Sequence, residues 1–159
     1  ALNHKDALEL PRDRKNNVLF DALEIGNRSR VAMVGHFHPL MPRLKELGAE
    51  VEVVDLGKQL GDPTLFREKL SNWADAVIVT ATSILNGTVD EIAETIRPGA
   101  KAALLGPSTP LVAKPFEGTP FTILAGTVPV SKEPVLRAIR NGKGTPALQR
   151  FSRKAYLAV

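Results

Sequence analysis

The sequence predicts an α/β fold, a three-layer Rossmann-like sandwich with a mostly parallel sheet of five to six strands. Three observations predict it. Short apolar runs recur from about residue 30 onward, and uninterrupted runs of this kind suit strands buried on both faces of a parallel sheet. Successive runs lie roughly 20 to 25 residues apart, which leaves one helix per crossover, as βαβ units require. The runs end mainly in Gly, Thr, Ser or Asp, the chemistry of strand-to-helix turns.

Residues 16–25 come first, with Val18, Leu19, Ala22 and Leu23 spaced for an amphipathic helix. The first strand is Val31-Ala32-Met33-Val34, ended by Gly35. A helix over 39–48 follows; Leu40, Leu44 and Leu47 share a face, and Gly48 stands at the C-terminal cap. Val51-Glu52-Val53-Val54 is the second strand, ended by Asp55-Leu56-Gly57. Asp62-Pro63 opens a helix over 63–71, with Asp as cap and Pro at the first helical position. Ala76-Val77-Ile78-Val79 is the third strand. Thr88, with Glu91 three residues on, predicts a capping box for a helix over 88–97. Ala102-Ala103-Leu104-Leu105 is the fourth strand, and Ser108 or Thr109 is expected to cap a helix over 108–114. Phe121-Thr122-Ile123-Leu124-Ala125 is the fifth strand, with Ala125-Gly126-Thr127-Val128-Pro129 as its loop. A helix over 132–141 and an edge strand over 152–159 complete the series.

A chain of 159 residues is long enough for one stable core. It holds no cysteine, which excludes disulfides and thiolate metal sites and fits a reducing cytoplasm, the expected location. No apolar run approaches the roughly 18 residues that span a bilayer, so no membrane partner is expected. The net charge of +4 is spread along the chain, apart from clusters such as Arg12, Arg14, Lys15 and Arg28, Arg30. Eight aromatics form no visible stacking platform, which disfavours nucleic acid.

Ligands of open parallel sheets bind outside the carboxyl ends of the strands, so the loops carry the candidate site. Gly35-His36-Phe37-His38 holds one Gly and two His. The G-x-G-x-x-G fingerprint is absent, which disfavours a dinucleotide, although Asp55 stands where a ribose-binding acid would. His36 and His38 are candidate ligands for a divalent metal. Thr80, Thr82, Asn86 and Thr88 surround Gly87 and offer hydroxyls and an amide before a helix. Gly106, Ser108, Thr109 and Gly126 add backbone and hydroxyl donors. No nucleophile elbow or acid pair is present, so the loops form a recognition surface first, and whether any reaction is catalysed stays open. Gly142-Lys143-Gly144-Thr145 lacks the spacing of a phosphate loop and is expected to be a helix-end turn.

Four motifs together resemble a known family: Val31-Ala32-Met33-Val34-Gly35-His36-Phe37, Thr80-Ala81-Thr82-Ser83-Ile84-Leu85-Asn86-Gly87-Thr88, Gly106-Pro107-Ser108-Thr109-Pro110-Leu111, and Ala125-Gly126 before Val128. They occur in order over about residues 30–157. The family is a domain of unknown function labelled "putative heavy-metal chelation". The resemblance implies a Rossmann-like C-terminal domain preceded by a smaller domain like the N-terminal domain of enolase, with the site in a cleft between them. It implies that Gly35, His36, Asp55, Thr80, Asn86, Thr88, Gly106, Ser108 and Thr109 border that cleft. The opening Ala1-Leu2-Asn3, without Met, resembles the tail of that smaller domain. The expected organisation is an N-terminal segment or linker over 1–28 and the Rossmann-like domain over 29–159. Three readings follow: a domain handling a small ligand or metal chelate, a nucleotide-cofactor enzyme, and a non-catalytic assembly module, with homo-oligomerisation open in each.

Overall fold

The computed structural model of the protein describes residues 7–10 and 16–159. Residues 1–6, His4 among them, and 11–15 of the expected N-terminal segment lie outside the described residues. Six strands form one sheet: β1 Arg30–Val34, β2 Glu50–Val54, β3 Ala76–Thr80, β4 Lys101–Leu105, β5 Phe121–Pro129 and β6 Ser152–Ala158. Their order is β2-β1-β3-β4-β5-β6. The first five are parallel, and β6 runs antiparallel along β5. The α/β class and the six-stranded, mostly parallel sheet are those the apolar runs predict.

The helices are α1 Asn17–Ala22, α2 Met41–Glu46, α3 Pro63–Asn72, α4 Thr82–Leu85, α5 Val89–Thr95, α6 Lys132–Arg140 and α7 Thr145–Leu148. Alternate strand residues point to opposite faces. Ala32, Val77, Val79, Ala102 and Leu104 meet Phe66 and Leu70 of α3 and Ile92 of α5 on one side. Val31, Met33, Ile78, Ala103 and Ile123 meet Leu19 and Phe20 of α1 and Leu44 of α2 on the other. Both faces of the central strands are therefore dry. The edge strand β2 differs, with Glu50 and Glu52 exposed and Glu52 paired to Lys69 at 3.3 Å.

The amino ends of the strands are held by Asp75. Its carboxylate accepts from the Arg30 backbone N–H at 3.1 Å, from Arg30 Nε at 3.0 Å and Nη2 at 2.7 Å, and from Arg97 Nη2 at 2.7 Å. The Arg30 guanidinium, above all, holds the Asp75 carboxyl far below the usual carboxylate range.

The local signals at α2 and α3 match their ends. Gly48 has φ +73°, and Asp62 accepts from Thr64 N at 2.7 Å and Leu65 N at 3.1 Å. Four expectations change. The helix expected over 108–114 is absent: Pro110 disfavours helical backbone at Thr109 and donates no N–H, so the chain runs as turns and irregular backbone to a single 3-10 turn, Lys114–Phe116. The capping box at Thr88 does not form. Thr88 stands just before α5 with its backbone in the right-handed helical region, its side chain makes no cap bond, and its hydroxyl donates to the Ser83 carbonyl at 3.5 Å. Residues 126–129 are not a loop, because pairing of Gly126 with Ala155 through Pro129 with Ser152 extends β5. The short helices α4 and α7 carry no periodic apolar signal and were not expected.

Candidate ligand-binding cleft

From β1 the chain steps outward to β2, then returns to β3 on the other side of β1. Strand order thus reverses between β1 and β3, which opens a crevice at their carboxyl ends. A cleft of about 420 Å³ lies there, within the ordinary size range of small-molecule sites. Val34, Val54, Phe66, Leu70 and Ile92 supply apolar walls; Asp55, Arg67, Thr80, Thr82, Asn86, Thr88 and Glu91 supply polar ones.

Gly35 makes the turn out of β1. Its φ is +86°, and a Cβ there would stand 3.0 Å from Thr80 Cβ and 3.1 Å from its Cγ2. Only glycine lets the β1 loop lie this close to β3. Beyond it, the His36 N–H donates to Asp55 Oδ2 at 2.9 Å. Lys58 adds its N–H to Oδ1 at 3.2 Å and its ammonium to Oδ2 at 3.2 Å, while Lys58 Nζ also donates to the His36 carbonyl at 3.2 Å. Asp55 therefore ties the β1 loop to the 3-10 turn Leu56–Lys58. The His36 N–H, first, and then Lys58 hold its carboxyl below the usual range, so it is ionised near neutral pH.

On β3, Thr80 Oγ1 and Thr82 Oγ1 share a hydrogen bond of 2.9 Å, and Ser83 Oγ donates to the Thr80 carbonyl at 2.7 Å. This ladder builds α4 and turns the loop toward the cleft. Asn86 is exposed, and among the described residues its amide has no partner. Across the mouth, Arg67 of α3 forms an ion pair with Glu91 of α5.

Gly35, Asp55, Thr80, Thr82, Asn86 and Thr88 are thus brought together, as walls of one cleft. His36 is not among the walls of the cleft and meets it only through its backbone N–H on Asp55. Its ring lies edge-on to that of His38, with centroids 5.9 Å apart, and His38 is exposed. Gly106, Ser108 and Thr109 follow the carboxyl end of β4, and Gly126 lies within β5 beside them, all outside the cleft. Gly106, at φ +143°, passes Ala81, and a Cβ on Gly126 would press Leu111 at 3.0 Å. Thr109 is buried with its hydroxyl unpaired; Ser108 is exposed.

Apart from Thr88, sequence reasoning missed the helical half of the cleft. The signal was present as two matching stripes: Pro63, Phe66, Arg67, Leu70 on α3 and Thr88, Glu91, Ile92, Thr95 at α5. Both follow the i, i+3, i+4, i+7 spacing of a single helix face, with a charge in the third and second place respectively.

A bare divalent ion needs three or more donors converging on one point. Among the described residues no group of three His, Asp or Glu does so. His36 and His38 stand without a third donor, and Asp55 is turned onto the loop backbone. The described residues therefore do not fit a protein-held metal. No helix among them is long and apolar enough to cross a membrane.

No curated protein matches the chain. It is similar to a solved protein of unknown function from Pyrococcus horikoshii, with a TM-score of 0.78 and 26% identity, over 95% of this chain and 60% of that one. It is likewise similar in fold to one from Desulfitobacterium hafniense, with a TM-score of 0.76 and 20% identity, over 96% of this chain and 59% of the other. The chain spans about three fifths of the length of both. Both relatives come from the family DUF364, and residues 18–158 match that family, described as "putative heavy-metal chelation". The chain belongs to the DUF364 family.

Proposed function

We propose that the cleft binds a small organic ligand, and that a metal enters it only as a preformed chelate. The observation that carries this reading is the lining: Thr80, Thr82, Thr88 and Asn86, which bear hydroxyls and an amide, share the cleft with Phe66, Leu70 and Ile92. Such a site holds a partly apolar body by burial and orients it by a few polar contacts. The family description speaks of heavy-metal chelation, and the described residues offer no three-donor cluster. Both facts are met if the metal's donors come from the ligand. The nucleotide-cofactor reading is weaker, because both Asp55 oxygens are already engaged by His36 and Lys58, which leaves that carboxylate poorly placed to hold a ribose.

A second reading rests on Leu56 and Leu85, each 74% exposed. Leu56 lines the cleft and Leu85 adjoins Asn86. These side chains suit a cleft closed by a further structural unit, such as the smaller domain that the resemblance implies.

The test is thermal stability in the presence of nickel, cobalt or zinc, each alone and each as its citrate or histidine complex, beside NAD, NADP and S-adenosylmethionine. A ligand at 100 times its dissociation constant adds about 2.7 kcal/mol, or roughly 5–10 °C for a chain of this size. A chelate is expected to shift the melting point, and Thr82→Val with Asn86→Ala to remove the shift. Equal shifts from bare metal, a shift from a nucleotide only, or indifference to the double variant would each overturn the reading.

A further inference from the structure

The positive charge is not evenly spread along the chain but is concentrated near its carboxyl end. Residues 130–154 hold seven basic side chains and one acid, Glu133, for a net charge of +6 in a chain whose total is +4. All other residues therefore sum to −2. Most of this stretch, residues 130–151 with a net charge of +4, is also a distinct piece of the architecture. Pro129 of β5 pairs with Ser152 of β6, so residues 130–151 leave and rejoin the sheet at one point on the carboxyl rim. Within them α6 packs mainly on α7 and on the 3-10 turn Gln149–Phe151. The connection forms a small cap beyond the sheet.

The outer surface of that cap is cationic. Val135 and Ala138 are the buried side of α6, and Arg137 and Arg140, one turn apart, are on its exposed side. Lys132, Lys143 and Arg150 are exposed as well. Among the described residues none of these five forms an ion pair, although seven ion pairs are formed elsewhere in the protein. Arg153 and Lys154 are differently employed: Arg153 donates to the Ala7 and Leu10 carbonyls, and Lys154 to the Asn16 side chain.

We infer that this cap is a docking surface for the phosphate backbone of a nucleic-acid duplex. Three of the five unpaired cations are arginines, whose planar forks match phosphate oxygens two at a time. The apolar exposure on the cap, Val130 and Ile139 at 53% and 56%, is two isolated side chains rather than the continuous stripe that a bilayer interface demands. The aromatic of the cap, Phe151, is half-buried and offers no open ring for unstacked bases, which argues against single strands. Contacts of this kind position a protein on a duplex and carry no sequence preference.

The experiment is fluorescence anisotropy of the protein against labelled 20-base-pair DNA and RNA duplexes of mixed sequence, at 50 and 200 mM KCl. Each neutralised phosphate contributes a slope of about −0.9 in log K against log salt. Four or five contacts therefore predict an affinity loss of roughly 150- to 500-fold across that range. Arg137→Glu with Arg140→Glu is expected to weaken binding at 50 mM at least tenfold and to flatten the slope by about two. Arg43→Glu with Lys45→Glu on α2 alters net charge equally and is expected to cost much less. Circular dichroism and melting establish that each variant is folded. If the α6 pair unfolds the protein, Lys132→Gln with Lys143→Gln takes its place. No binding at 50 mM, equal loss from the α2 and α6 variants, or tighter binding to phosphatidylserine vesicles or to single strands than to duplex would overturn the inference.

Discussion

Replacing Gly35 with alanine separates two physical demands that meet at one residue. The first is backbone: φ is +86°, and a residue with a Cβ in that region costs roughly 1–2 kcal/mol. The second is space: the new Cβ would stand 3.0 Å from Thr80 Cβ and 3.1 Å from Cγ2. Thr80 is a β-branched residue on a central strand whose hydroxyl bonds Thr82, so it yields poorly, and overpacking of this sort adds about 1–2 kcal/mol. The expected total is about 2–4 kcal/mol. Gly87 supplies the control. It has φ +69°, yet a Cβ there meets nothing within 4 Å, so Gly87→Ala is expected to lose only the backbone part, about 1–2 kcal/mol. Urea unfolding of both variants, with unchanged slope, gives the difference. In melting, Gly35→Ala is expected to lose roughly 5–12 °C. Equal losses from the two variants would refute the claim that the β1 loop is pressed against β3.

Other outcomes follow from the same contacts. Asp75 has a carboxyl held low by Arg30 and Arg97, so its stabilisation is complete above the unfolded value near 4 and is lost as pH falls from there toward the depressed folded value. Stability measured from pH 6 down to pH 2 should fall, and Asp75→Asn should fall less steeply. Asp55→Asn is expected to cost about 1–2 kcal/mol through weakened bonds to His36 and Lys58, and to speed amide exchange at His36. Asp62→Ala removes two cap bonds from α3 and should cost about 1 kcal/mol in urea unfolding. The Arg67 and Glu91 side chains are 63% and 54% exposed, so a double-mutant cycle should return less than about 1 kcal/mol of coupling.

What the sequence determined by itself was local. The apolar runs at 31–34, 76–79 and 102–105 could be read as strands because nearly all of their residues are buried whichever face they point to. The ends of α2 and α3 could be read because Gly48 and Asp62 act on backbone within a turn of themselves. Local chemistry misled where two signals competed in one stretch: Ser108 and Thr109 suggested a cap, and Pro110 prevented the helix. The tertiary structure decided which loops became neighbours. Apolar parallel strands carry little that names their partners, so the order β2-β1-β3-β4-β5-β6 is settled only when all the layers pack. That order joined the Gly35, Asp55 and Thr80 loops into a cleft and left Gly106 and Gly126 beside it. It brought Arg67 across from Glu91, 24 positions away in the chain. The net charge of +4 over residues 130–151 was already contiguous in the chain; the fold added that its five cations stand exposed on one cap. Periodicity and turn chemistry act over a few residues, whereas a site is made by side chains that meet only after the sheet has chosen its neighbours.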